Sequence, residues 1–167
     1  MLESNKCNSN LQKGNTALPS NYRPISLISC VGKIMERVVY KYVYNHLKKC
    51  KVLYEYQSGF LLNCSTVHQL IEIYNYILNS FENKEIRCFV FCDFSNAFDK
   101  VWHRGLLHKI KGYGIWGNLL NWFNSYLQER SQRVVIKNSS SPLSNISAGV
   151  PQGSVIGPLL FISLLII

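Results

Sequence analysis

Aspartate is nearly missing from this chain. Its 167 residues hold two, Asp93 and Asp99, within one seven-residue stretch, and glutamate supplies the other seven of nine acidic side chains. Against these stand 18 Lys and Arg, so the net charge is +9. Closely paired cysteines are missing too: Cys7, Cys30, Cys50, Cys64, Cys88 and Cys92 form no CxxC half-site, which excludes a cysteine-based zinc motif. Buried free thiols in a reducing compartment are the expectation. The first residues are polar and lack the apolar core of a secretory signal. No apolar run is long enough for a bilayer, since the longest, Leu159 to Ile167, falls well short of the roughly 20 residues a crossing requires. The run reads as a buried element, and the chain as intracellular, cytoplasmic or nuclear, with no membrane partner. Charged residues are only 16% of the chain and aromatics reach 13%, which excludes a disordered polyelectrolyte.

What is present is one core's worth of apolar residues, 47% of the total, under a basic surface. A net positive charge of this size suits an anionic partner, because phosphate backbones release counterions to scattered Lys and Arg. Nucleic acid leads; charge alone leaves a merely soluble basic protein equally open.

Residues 1–20 are rich in Asn, Ser and Lys without apolar period and read as a loose polar lead-in. Between Val31 and Lys51 a helical stripe of Val31, Ile34, Met35, Val38, Tyr42 and Leu47 is set against a charged face of Lys33, Glu36, Arg37, Lys41 and Lys48. A second helix is expected from Thr66 to Phe81, with Val67, Leu70, Ile71, Tyr74, Ile77, Leu78 and Phe81 inward and Thr66 and Gln69 forming a capping box. RCFVFCDF then reads as a buried strand ending at Asp93. Short helices are expected at 105–111 and 117–129, the second with Leu119, Leu120, Phe123, Tyr126 and Leu127 inward. QRVVIK and a strand running toward Ser147 suggest a hairpin, and AGVPQGSVIGPLLF a backbone-shaped loop leading into a helix. Helices, strand, helices, hairpin and helix in that order make an α+β layout.

The sharpest chemical feature is DFSNAFDKVWHRGLL. Asp93 at a strand end can reach a metal without being sealed in the core, and with the carbonyl of Phe94 it offers oxygen donors to a hard ion such as Mg2+. A helix-capping role for Asp93 fits the spacing equally well. Asp99 is expected to point elsewhere, as a helix cap or as an ion-pair partner of Lys100 or Arg104. Read alone, Arg23 is a surface charge before Pro24, Phe98 a core aromatic and Gln152 a turn residue. His46, His68, His103 and His108 make no ligand set.

Four blocks occur together and in order: NYRPISLISCVGKIMERVV, QSGF with a following ST, FCDFSNAFDKVWHRGLL and SAGVPQGSVIGPLLF. Together they resemble the reverse transcriptase domain of non-LTR (LINE, jockey-like) retrotransposons, from about Lys13 to Phe161. The resemblance implies a partial right-hand polymerase fold, with fingers over about 21–85 and an incomplete palm over about 86–167. It implies RNA template, DNA primer and a deoxynucleoside triphosphate as partners and Mg2+ as cofactor, and leaves the oligomeric state open. By the same resemblance Asp93 is the first catalytic aspartate and a metal ligand, joined by the carbonyl of Phe94. Phe98 is the aromatic that stacks on the incoming sugar. Arg23 grips the triphosphate, as the bidentate reach of a guanidinium allows, and Lys13 assists. Gln152 and Gly153 lie along the incoming nucleotide.

Two departures from the family pattern matter. The GF…ST block carries Leu61 and Cys64 where the family has arginines, which weakens that loop's contact with nucleic acid. No YADD-type block with paired aspartates occurs in these residues, and Glu129 is the only carboxylate after Asp99. Because two-metal transfer bridges attacking and leaving oxygens with ions that one aspartate cannot hold, the expectation is a fragment cut before that block, without thumb or polymerase activity. The apolar tail should then be exposed and prone to aggregation. The alternative is a non-enzymatic RNA- or DNA-binding remnant.

Overall fold

The computed structural model describes residues 5–11, 14–15, 17–18, 21–128, 130–136 and 139–166. They form an α+β protein with five α-helices and five strands among the described residues. Two compact units divide it: Met1–Val52 with Asn96–Ile167, and Leu53–Ser95.

The first unit is built on a sheet of order β2-β1-β3-β4, with β5 also on β3. Its strands are β1 (Asn5–Leu11), β2 (Tyr22–Leu27), β3 (Arg130–Ile136), β4 (Ser139–Ser140) and β5 (Ser144–Ile146). The segment read as a loose lead-in therefore contributes an interior strand. β1 runs antiparallel to β2, with Cys7 opposite Ser26, and parallel to β3, with Cys7 opposite Val134. Its polar sequence hid it, because backbone pairing on both sides supplies what an apolar period usually signals. The hairpin expectation holds. Val135 pairs with Ser140 and Arg130 with Ile146, so two short strands return along β3.

The same unit holds α1 (Cys30–Lys49), α3 (His103–Gly112), α4 (Gly117–Leu127) and α5 (Gly157–Leu165). The core gathers Val43 and Leu47 of α1, Leu106 of α3, Phe123 and Leu127 of α4, and Leu160 of α5. α5 begins with Pro158 in its first turn, where the missing N–H costs nothing. The apolar tail, expected to be exposed, is packed: Leu159, Leu160 and Ile162 are buried. The Lys109 ammonium donates to the carbonyls of Leu164 and Ile166, and the Tyr113 hydroxyl to that of Ser163, closing the helix end.

α1 buries Leu47, as expected, but turns the rest of the expected stripe outward. Glu36, Val43, Tyr44 and Leu47 are buried, whereas Val31, Ile34, Met35, Val38 and Tyr42 are exposed. The helix is apolar on more than one side, so periodicity alone could not choose the core-facing stripe.

The second unit consists of turns, α2 (Thr66–Asn83) and a segment over 85–94 that is neither helix nor strand. Ser65, rather than Thr66, caps α2 by accepting from the His68 amide at 3.3 Å, and the Gln69 side chain bonds Glu72 instead. The helix runs to Asn83, two residues beyond the expected Phe81, and ends on Lys84 in the left-handed region. Its apolar stripe from Val67 to Phe81 is exposed throughout. RCFVFCDF is not a buried strand: residues 85–94 pair with no strand among those described, and Val90 and Phe91 are exposed. An apolar run becomes a strand only where a neighbouring backbone completes its ladder. The cysteines also differ from expectation. Among the described residues all six are free, but only Cys7 is buried. No helix among the described residues is long and apolar enough to cross a membrane.

Candidate functional site

The loop 148–156 is held from three sides within the first unit. The amide of Ser26 on β2 donates to the Gln152 carbonyl at 2.9 Å. Val150 and Gly149 donate to the carbonyls of Phe98 and Val101, both at 2.8 Å, which ties the loop to the 3₁₀ turn Ala97–Lys100 and its exit. His103, buried at the start of α3, donates from Nε2 to the Gly149 carbonyl at 2.7 Å. Gly149 sits at φ +91°, and a Cβ there would lie 2.9 Å from the carbonyl oxygen of Asp99. The position requires glycine for both conformation and space. Gly153, at φ +95°, requires it for conformation alone, since a Cβ would meet only ordinary contacts.

This scaffold shapes a recess of about 260 Å³ lined by Pro24, Ser26, Asp99, Arg130, Gln132 and Gln152, with the loop backbone completing it. The Gln152 amide donates to both oxygens of Asp99, at 3.0 and 3.2 Å. Asp99 thus serves neither as a cap nor as an ion-pair partner of Lys100 or Arg104; among the described residues the only ion pair is Arg87 with Glu85. Behind the recess lies a buried polar network. Glu36 accepts the Tyr126 hydroxyl at 3.0 Å and the Val155 amide at 2.6 Å. Burial, and then the charge of Glu36, push the Tyr126 hydroxyl well above its ordinary pKa. Arg130 has its pKa lowered by burial and lies 6.0 Å from the Tyr126 ring centre.

The candidate residues divide between the two units. Gln152 lines the recess, and Gly153 turns the chain beside it. Phe98 is half-buried with its ring 5.1 Å from that of Phe161, and Arg23 is exposed on β2 next to Pro24. Asp93 and Phe94 belong to the second unit and are exposed. Lys13 lies outside the described residues. One carboxylate and one carbonyl fall short of the roughly six oxygens Mg2+ requires. Among the described residues no group of three or more His, Cys, Asp or Glu comes together. The residues described therefore do not compose a Mg2+ site by themselves.

Sequence reading missed Glu36, Asp99 as partner of Gln152, and Arg130. Glu36 sat in a face that looked solvated, and no spacing rule links residues 53 positions apart in the chain, as Asp99 and Gln152 are.

Comparison with known proteins agrees with the blocks. The family described as reverse transcriptase (RNA-dependent DNA polymerase) matches residues 11–165. The "Probable RNA-directed DNA polymerase from transposon BS" of Drosophila melanogaster is 40% identical over 149 residues, covering 86% of this chain and 16% of that protein. The "RNA-directed DNA polymerase from mobile element jockey" of the same species is 40% identical over 141 residues, covering 84% of this chain and 15% of the relative. A more distant relative, the Pol polyprotein from the type-1 retrotransposable element R2 of Popillia japonica, is 26% identical over 149 residues, 89% of this chain and 20% of that protein. The chain thus spans about 15% of the length of the first relatives it matches. With the four blocks in order, it belongs to the reverse transcriptase (RNA-dependent DNA polymerase) family, among those of jockey-like non-LTR retrotransposons.

Proposed function

We propose that the chain forms the nucleotide-receiving part of an RNA-directed DNA polymerase, spanning fingers and part of the palm. The whole protein would join a deoxynucleotide to a DNA primer on an RNA template. The observation that carries this reading is the tethering of the VPQG loop to β2 and to the AFD turn, which joins three of the family-like blocks in one recess. Gln152 and Gly153 would lie along the incoming nucleotide, Phe98 against its sugar, and Arg23 and Lys13 at its phosphates. Asp93, with the Phe94 carbonyl, would be this chain's share of the Mg2+ site, where the ions would neutralise charge on the transferring phosphoryl group.

Equilibrium binding of a fluorescent deoxynucleoside triphosphate tests the reading. Binding is expected, and Gln152→Ala and Arg23→Ala are each expected to weaken it about tenfold, the equivalent of 1.4 kcal/mol. Primer extension on an RNA template is expected to be silent, with or without Asp93→Asn, because one aspartate cannot hold two ions. Absence of nucleotide binding overturns the reading.

A further inference from the structure

Glu36 is a carboxylate buried at a cost that apolar packing would avoid. Its two oxygens serve different elements: one accepts the Tyr126 hydroxyl of α4 at 3.0 Å, the other the Val155 amide of the 148–156 loop at 2.6 Å. The first half of that loop is held elsewhere. Gly149 and Val150 donate to the carbonyls of Val101 and Phe98, and Ser26 donates to that of Gln152. At Gly153 the backbone then turns through φ +95°, and because glycine is conformationally permissive the chain direction beyond it has to be fixed from the far side. Ser154 bonds inward, to the Pro151 carbonyl and the Gly157 amide. Val155 reaches out of the loop, and Glu36 ties it to α1. On the near side of the same turn stands Gln152, whose amide meets Asp99 at 3.0 Å.

We propose that Glu36 is a positioning residue for the recess: by holding the Val155 amide it fixes the chain after Gly153, and so the place of the Gln152 side chain. This rests on the reading that Gln152 lies along an incoming nucleotide. Glu36 stands behind the recess and acts on it through the loop, so its effect on a ligand passes through Gln152.

Binding of the fluorescent deoxynucleoside triphosphate to Glu36→Met tests it, since Met fills similar space but leaves Val155 without its acceptor. Affinity should fall about fivefold. The double variant with Gln152→Ala should bind no more weakly than Gln152→Ala alone, because the two residues act as one unit. Glu36→Gln keeps an acceptor oxygen for the Val155 amide and should stay within about twofold of the unsubstituted chain. Tyr113→Phe loses the bond to the Ser163 carbonyl, and with it some stability, without touching the loop; its affinity should not change. The ¹⁵N resonance of the Gln152 side-chain amide reports the same displacement without nucleotide. It should shift in Glu36→Met and stay in place in Glu36→Gln and Tyr113→Phe. A stationary resonance in Glu36→Met, or losses of affinity that add in the double variant, overturns the proposal. If the unsubstituted chain binds no nucleotide, the functional reading fails and the resonance alone decides whether Glu36 sets Gln152. If Glu36→Met does not fold, Glu36→Asp, one methylene shorter and drawn back from Val155, takes its place with the same expected results.

Discussion

The side-chain amide of Gln152 bridges both carboxylate oxygens of Asp99, at 3.0 and 3.2 Å, and so joins the VPQG loop to the AFD turn through side chains as well as backbone. The contact is exposed, so its contribution to stability is small and its effect is on loop order. Asp99→Ala should lower stability by about 1 kcal/mol or less. Amide hydrogen exchange at Val150 and Gly149, whose N–H groups bond the backbone of that turn, should quicken clearly. Unchanged protection there would mean that the backbone bonds alone hold the loop.

Two glycines separate a conformational demand from a vacancy. At Gly149 a side chain meets the Asp99 backbone at 2.9 Å with φ at +91°, so Gly149→Ala should cost about 3 kcal/mol or more. At Gly112, the last residue of α3, a Cβ meets nothing within 4 Å, and Gly112→Ala should stabilise by about 0.5–1 kcal/mol. Urea denaturation of the two variants should move the midpoint in opposite directions.

Glu36 is 3% exposed and supplies the acceptors for Tyr126 on α4 and Val155 in the loop. Glu36→Ala leaves both donors unsatisfied and should cost about 3 kcal/mol; Glu36→Gln keeps one acceptor oxygen and should cost roughly half as much. Chemical denaturation measures both. A neutral effect of Glu36→Ala would show that water reaches these donors.

Local rules served well where the residues carried their own signal. The start of α2, the hairpin on β3 and the helix after VPQG follow from periodicity, alternation and breakers. Choices of partner were not legible. β1 has a polar sequence and is defined by the strands on either side of it, and α1 carries two apolar faces of which the fold buries the one bearing Glu36. The site divides in the same way. Block order pointed to Gln152 and Gly153, whereas Asp99 and Arg130 acquire their surroundings from contacts distant in sequence.

The stripe of α2 gives a test of surface character. Leu70 and Ile71 are more than half exposed, in a face that also includes Val67, Tyr74 and Phe81. Exposed apolar patches of this kind promote association. Leu70→Lys with Ile71→Lys should change unfolding free energy by about 0.5 kcal/mol or less per site. The same pair should reduce light scattering of the concentrated chain. A large loss of stability would show that this face is packed in solution.

Tyr126 should govern part of the alkaline limit of stability. Its ordinary pKa is 10.0; burial and the neighbouring Glu36 carboxylate raise it in the folded chain, because an ionised phenol there would be desolvated and would face a like charge. Below pH 10 the phenol is protonated in both folded and unfolded states, so its contribution is fully present. Above that value the unfolded chain loses the proton first, and stability falls as pH rises toward the raised folded pKa. Tyr126→Phe removes this phenol's share of the decline, although it costs about 1 kcal/mol at neutral pH by taking a donor from Glu36. Tyr40 and Tyr113 are also raised by burial and keep their shares in both chains. Urea midpoints from pH 7 to 11 should therefore converge for the two proteins as pH rises, the substituted chain losing less. Parallel curves would mean that the Tyr126 phenol ionises equally well in the folded chain.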